Sequence, residues 1–252
     1  RVGRRDNFFE LGGHSLLAIG VLEQMRRRGL SADVQAIFAK PELAELASAV
    51  GEGGLRVTVP TPPSRIPPGC ERITPELLPL VSLEPAEIEA IVATVPGGAR
   101  NIQDIYPLAP LQEGILFHHL MEGRGDAYLL WNLLAFADRG KLTAYAEALQ
   151  AVIARHDVLR TSVAWEGLRE PVQVVWREAS LSVETLTLDP ADGDVAEQLK
   201  ARCDPRSQRL DVRRAPLMRL VSAYDPAADR WLTVWLLHHL VADHTTLELM
   251  QA

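Results

Sequence analysis

The sequence predicts two folded parts of different class: an all-α segment over residues 1–50 and an α/β domain with a mixed sheet over residues 101–252. Three observations lead there. Before residue 50, apolar residues recur at helical spacing and no segment reads as a strand. Gly51, Gly53 and Gly54 then lead into Pro60, Pro62, Pro63, Pro67, Pro68 and Pro75, a stretch that builds no core of its own. Beyond residue 101, strand-length apolar runs alternate with amphipathic helices, which stack in two layers, helices on a sheet face.

Taken in order, the first helix starts at Ser15, a good N-cap, and shows Leu17, Val21, Leu22 and Met25 on one face. Arg26, Arg27 and Arg28 suit its negative C-terminal end, and Gly29 suits the cap beyond it. Residues 34–38 and a helix from Pro41, with Leu43, Leu46 and Ala47 on one face, complete the segment. Residues 51–75 read as a semi-stiff connector, and residues 84–95 as a short helix with Ile88, Ile91 and Val92 apolar. The whole stretch 51–100 is therefore expected as a linker carrying one helix.

In the second part, residues 108–120 form a helix with Leu111, Ile115 and Leu116 inward, and residues 128–137 an apolar strand. Residues 142–159 make a strong amphipathic helix through Leu142, Tyr145, Leu149, Val152, Ile153 and His156. Strands follow at 172–176, 181–188 and 216–224, with a helix at 195–203. Residues 231–240 are almost wholly apolar and fit a buried central strand. A single sheet is the simplest architecture.

Composition excludes several functions. The net charge of −7 argues against nucleic acid as a partner. No run of about 18 apolar residues suggests a membrane span, and residues 1–10 lack a signal-peptide core. Cys70 and Cys203 are far apart and without paired spacing, so they read as reduced thiols of a cytoplasmic protein, with no metal site. No phosphate-cradling glycine fingerprint is present.

Residues 6–16, Asp-Asn-Phe-Phe-Glu-Leu-Gly-Gly-His-Ser-Leu, set a hydroxyl on a glycine-led turn at a helix start. The string resembles the attachment site of peptidyl carrier proteins in non-ribosomal peptide synthetases. The resemblance implies 4′-phosphopantetheine bound covalently to Ser15. A phosphodiester there would sit at a helix N-terminus, which favours anions. The reading from residues alone is a plain helix cap. The family's first helix is expected ahead of Arg1, so this carrier is expected to be short of it.

The apolar strand closes on His238-His239-Leu240-Val241-Ala242-Asp243-His244. Strand alternation sends the two imidazoles to opposite faces, one to a cavity and one to the core. This string resembles the HHxxxDG motif of condensation domains, which are built like chloramphenicol acetyltransferase. The resemblance implies that His239 is the catalytic or substrate-positioning residue, with His238 beside it and Asp243 orienting the site. His244 replaces the family's glycine and its easy access to positive φ. Residues 106–114 (YPLAPLQEG) and 155–161 (RHDVLRT) resemble two further condensation motifs. Arg160 within the second either braces the active-site loop, by pairing with an acid such as Asp243, or is a surface arginine at a helix end.

A second pair opens His118-His119-Leu120-Met121-Glu122-Gly123-Arg124-Gly125-Asp126. It resembles the added signature of dual epimerisation/condensation domains, with Gly125 and Asp126 as its closing residues. Imidazoles at a helix end suit proton traffic near neutral pH; the other reading is cations capping a helix before a glycine turn. His14 ahead of Ser15 resembles carriers that precede condensation-type rather than pure epimerisation domains.

The resemblances together imply a carrier followed by the N-terminal lobe of a dual domain, with the second lobe expected beyond Ala252. A carrier-bound L-aminoacyl or peptidyl thioester would be epimerised at Cα and then joined to a downstream aminoacyl group. Implied partners are an upstream adenylation domain, downstream carrier and adenylation domains, and a phosphopantetheinyl transferase. The rivals are an ordinary condensation domain that takes a D-configured donor, and a non-catalytic carrier and docking module.

Overall fold

A computed structural model describes residues 2–12, 15–31, 36–37, 40–52, 63–243, 246 and 250. The chain divides into two compact units, Arg1–Thr61 and Pro62–Ala252.

In the first unit, α1 runs Ser15–Arg27 and α2 Leu43–Ala49. Gly29 takes φ +76° just past α1, as a helix C-terminus wants. Val21 and Leu22 of α1 pack with Phe8, Phe9 and Ala36 around buried Ile37 and Leu46. The Asp-Asn-Phe-Phe string folds as a turn, with the Phe9 amide donating to Asn7 Oδ1 at 2.9 Å. The Phe8 amide donates to the Pro41 carbonyl at 2.9 Å, which ties the turn to the entry of α2. Leu17, expected on the apolar face, is half exposed. The expectation of helices alone is not met here. Leu30–Ser31 (β1) pairs antiparallel with Gly51–Glu52 (β2), because chain entering and leaving the helices runs side by side. Residues 34–35 and 38, expected in a further helix, lie outside the described residues.

The second unit begins with residues expected as linker. The Pro-rich arm makes no core of its own, yet Ile66 and Ile73 insert into the main core, followed by Leu78 and Leu83. The Ser64 hydroxyl donates to the Gln103 carbonyl, and Arg177 Nη2 to the Ile66 carbonyl. Helix α3 (Pro85–Thr94) follows, with Glu87 accepting from the Glu84 amide at 2.7 Å and Ile88 and Ile91 buried. The connector expected over 51–75 therefore does not extend that far. Few apolar residues suffice when a neighbouring core receives them.

The rest comprises β3 (Ile102–Pro107), α4 (Pro110–Met121), β4 (Leu129–Phe136), α5 (Arg139–Arg155), β5 (Thr161–Ala164), β6 (Val172–Trp176), β7 (Ser182–Leu186), α6 (Val195–Arg202), β8 (Met218–Asp225) and β9 (Arg230–His238). Asp138 caps α5 by accepting from the Lys141 amide at 2.8 Å, and Asp194 caps α6 by accepting from Glu197 at 3.0 Å.

Two sheets form where one was expected. One is antiparallel, in the order β3-β6-β5; the other is mixed, in the order β4-β9-β8-β7, with β7 parallel to β8. Alternation along β9 explains its composition. Leu232, Val234 and Leu236 join Leu199 and Cys203 of the α6 side in one core, while Trp235 and Leu237 join the main core with Ile102, Ile115 and Ile153. A strand covered on both faces has no polar face to show. The sheet thus carries β9 between two packed layers and delivers its last residue, His238, where it leaves the core.

Candidate active site

Helix α4 starts at Pro110, where the Gln112 side chain accepts from the Ala109 amide at 2.9 Å. It ends at Met121, and the Arg209 guanidinium caps it by donating to the carbonyls of His119 and Glu122. The chain turns at Gly125, with φ +76°; a Cβ there would lie 2.4 Å from the Arg206 carbonyl oxygen, so only glycine fits. The next amide, of Asp126, donates to the Pro205 carbonyl at 2.7 Å. This close approach aims the Asp126 carboxylate inward.

Asp126 Oδ2 there accepts from two imidazoles, His119 Nδ1 at 2.7 Å and His238 Nε2 at 3.0 Å. Its Oδ1 accepts from the Tyr128 amide at 2.9 Å. All three side chains are buried, and the two rings meet edge to face with centroids 5.4 Å apart. Burial alone would raise the Asp126 pKa, but the hydrogen bonds from His119 and His238 outweigh it and hold the carboxyl well below its usual range. Burial lowers the His238 pKa against the pull of Asp126. His238 Nδ1 accepts from the Leu240 amide at 3.1 Å, which assigns the ring proton to Nε2. The three groups could in principle ligate a cation, since their donor atoms lie within 4.8 Å. The protonated Nε2 of His238 has no lone pair to offer one, so the chemistry of this set is a proton network.

His239 lies on the other side of the strand end and is half buried. Its amide donates to the Tyr128 carbonyl at 2.9 Å, and its ring stacks on Tyr128, with centroids 6.5 Å apart and planes at 22°. Its Nδ1 donates to the Ala242 carbonyl at 2.6 Å. In the neutral ring this leaves Nε2 with its lone pair, the state a proton acceptor needs. His118 is exposed and lies near Tyr128, with ring centroids 6.0 Å apart.

The site residues read from sequence thus fall into groups. His119, Gly125, Asp126 and His238 meet, and His239 adjoins them through the backbone. Asp243 is exposed, and Thr246 holds its carboxyl low by hydroxyl and amide bonds. The expected pairing of Arg160 with Asp243 does not form. Arg160 is buried and donates to Asp157, Gln103 Oε1 and the Trp176 carbonyl, because the turn after α5 points it into the antiparallel sheet. Ser15 is the first residue of α1. Its side chain, with Gly13, His14 and His244, lies outside the described residues.

Sequence reasoning passed over Tyr128 and Arg209, whose parts depend on tertiary contacts. Gln112 lies inside the 106–114 string, where no single residue stands out, yet its Nε2 donates to the Leu240 carbonyl at 2.9 Å, one residue past His239.

Comparison with known proteins bears on these features. Residues 1–50 match the phosphopantetheine attachment site family. Malpinin synthetase of Mortierella alpina is 50% identical over 248 residues, covering 98% of this chain and 3% of that protein. A linear gramicidin synthase of Brevibacillus parabrevis is 35% identical over 176 residues, covering 68% of this chain and 2% of that protein. The chain thus spans a few per cent of the length of these relatives. A four-domain non-ribosomal peptide synthetase, holo-AB3403 bound to AMP and glycine, superposes with a TM-score of 0.51 at 16% identity, covering 60% of this chain and 11% of that one, and shares the fold. The attachment-site match indicates covalent 4′-phosphopantetheine as the cofactor. Residues 102–251, the part that carries both histidine pairs, match the condensation domain family, and the chain belongs to it.

Proposed function

We propose that the chain carries an acyl group on Ser15 and catalyses non-ribosomal peptide-bond formation at His239, after inverting the donor at Cα. The observation that carries this reading is the His239 ring: Nδ1 is committed to Ala242 at a half-buried strand end, which in the neutral ring leaves Nε2 with the lone pair. The amine of an aminoacyl group attacks the thioester carbonyl; the N–C bond forms, the C–S bond breaks, and His239 Nε2 accepts the amine proton and passes it to the leaving thiolate. General acid–base help of this kind contributes about 10²–10⁴-fold.

The N-terminus of α1 fits the cofactor. The helix has 13 residues, no acidic residue in its first turn, and the first-turn amides that a helix leaves unpaired. 4′-Phosphopantetheine supplies the thiol that holds the acyl group. The matched synthetases support upstream adenylation and downstream carrier and adenylation domains as partners, with a phosphopantetheinyl transferase to prime Ser15.

The epimerisation part of the reading rests on the join between the two histidine pairs, where Asp126 binds an imidazole from each. A second reading is an ordinary condensation domain that takes a D-configured donor. The burial of His119 favours it, since a ring spent on Asp126 has a structural use without proton traffic. The deciding experiment loads L- and D-aminoacyl donors on the full-length protein and follows α-proton exchange in deuterated water. Exchange and condensation of the L-donor are expected. Condensation of the D-donor alone, without exchange, establishes the second reading.

A further inference from the structure

We propose that Gln112 is a positioning residue for His239, acting through the Leu240 peptide; the proposal rests on His239 being the working imidazole. The turn that holds the His239 ring is short. It runs from the strand end to the Ala242 carbonyl that accepts from His239 Nδ1. Within it, both backbone polar groups of Leu240 are held. Its N–H donates to His238 Nδ1 at 3.1 Å, and its carbonyl accepts from Gln112 Nε2 at 2.9 Å. The Val241 amide donates to the His238 carbonyl at 3.2 Å.

Gln112 is itself fixed. Its Oε1 accepts from the Ala109 amide at 2.9 Å, and its Nε2 donates a second bond to Gln173 Oε1 at 3.0 Å. Gln173 Nε2 in turn donates to the Pro107 carbonyl at 3.1 Å. Both Gln112 donors and its acceptor are therefore used, and a flipped amide would face two oxygens with an oxygen. The chain Pro107–Gln173–Gln112–Leu240 links β3 and β6 of the antiparallel sheet to the turn that follows β9 of the mixed sheet. The two sheets thereby set where the His239 ring points, through one amide at the first turn of α4. Sub-ångström placement is what a proton-transfer group needs, and a misplacement of about 1 Å costs about 10²-fold.

The test is ¹⁵N nuclear magnetic resonance of the histidine rings in the full chain, which reads each tautomer and needs no substrate. Its outcome is thus independent of whether the reaction is condensation, epimerisation or both. In the wild type, His239 and His119 should each show a protonated Nδ1. Gln112→Glu sets an oxygen against the Leu240 carbonyl and Gln173 Oε1, and Gln112→Met removes the donor without adding charge. Both should shift His239 to averaged nitrogen signals, with loss of the pure Nδ1–H form, and leave His119 unchanged. An unchanged His239 in either variant overturns the proposal. Equal disturbance of His119 and His239, as in a protein that fails to fold, also overturns it, since Gln112 is then a packing residue alone.

Discussion

His238 Nε2 and Asp126 Oδ2 lie 3.0 Å apart across 112 residues of chain, both buried. That bond makes one site of two histidine pairs that are separate in sequence. It fixes the His238 tautomer, and the other nitrogen of that ring holds the Leu240 amide at 3.1 Å. An error at Asp126 is therefore expected to reach His239 without any contact between their side chains.

Asp126→Asn keeps the shape and removes the charge. Both imidazoles share one carboxylate oxygen and the Tyr128 amide holds the other, so the amide must turn its NH₂ either on both rings or on the Tyr128 amide, and the charge that strengthened these bonds is lost in either case. A destabilisation of about 1.5–3 kcal/mol is expected for such a bond, measured as a shift of the urea midpoint. An unchanged midpoint would mean that the carboxylate does not bind both rings.

Stability should also fall in acid in a particular window. Burial holds the His238 pKa below its ordinary 6.5, so the unfolded chain takes up this proton first as pH drops. The contribution is fully present above about pH 6.5 and is lost as pH falls from there toward the lower folded value. Asp126, held low, keeps its contribution until far more acid conditions. Urea midpoints at pH 7.5 and 5.5 should differ by more in the wild type than in His238→Asn. Equal differences would remove His238 as the source.

Gly125→Ala tests the turn. The left-handed backbone costs about 1–3 kcal/mol for a residue with a Cβ, and that Cβ would also press on the Arg206 carbonyl at 2.4 Å. The melting temperature should drop, and the His119 ring signals should move with it. A stable variant with unmoved His119 signals would show that the turn does not position Asp126.

Much of this was readable from the residues, and the rest had a physical reason to be hidden. Apolar length and alternation gave β4, β6 and β9 nearly to the residue, because burial on one or both faces dictates that pattern. The split into two sheets was not readable, since β3 and β5 are short and each meets a motif string only at one end. The arm at 63–83 misled because its prolines mark the backbone, while Ile66 and Ile73 act through a core supplied by distant chain. The histidines were legible as pairs. Their sharing of Asp126 was not, because a hydrogen bond between residues 112 apart leaves no local signature.

Ser15 is expected to be the residue that takes the phosphopantetheine arm. Incubation with coenzyme A and a phosphopantetheinyl transferase should add the arm to the wild type and not to Ser15→Ala, as read by intact mass. Modification of the alanine variant would place the site elsewhere.

The two histidines of the first pair should separate in function. His119 is buried and bound to Asp126, whereas His118 is exposed beside Tyr128, whose ring in turn stacks on His239. His119→Ala removes a bond to a buried carboxylate, so it should lower the urea midpoint and slow every reaction of the site together. His118→Ala removes a surface ring and should change stability by no more than about 0.5 kcal/mol. Under the dual reading, His118→Ala should slow α-proton exchange of an L-donor by about 10²-fold, the low end for a lost acid–base group. A D-donor bypasses inversion, so the same variant should still condense it at a substantial rate. Equal loss with both donors would assign His118 to general support of the site. Unchanged exchange would leave epimerisation without a role for this pair, and the ordinary condensation reading would take its place.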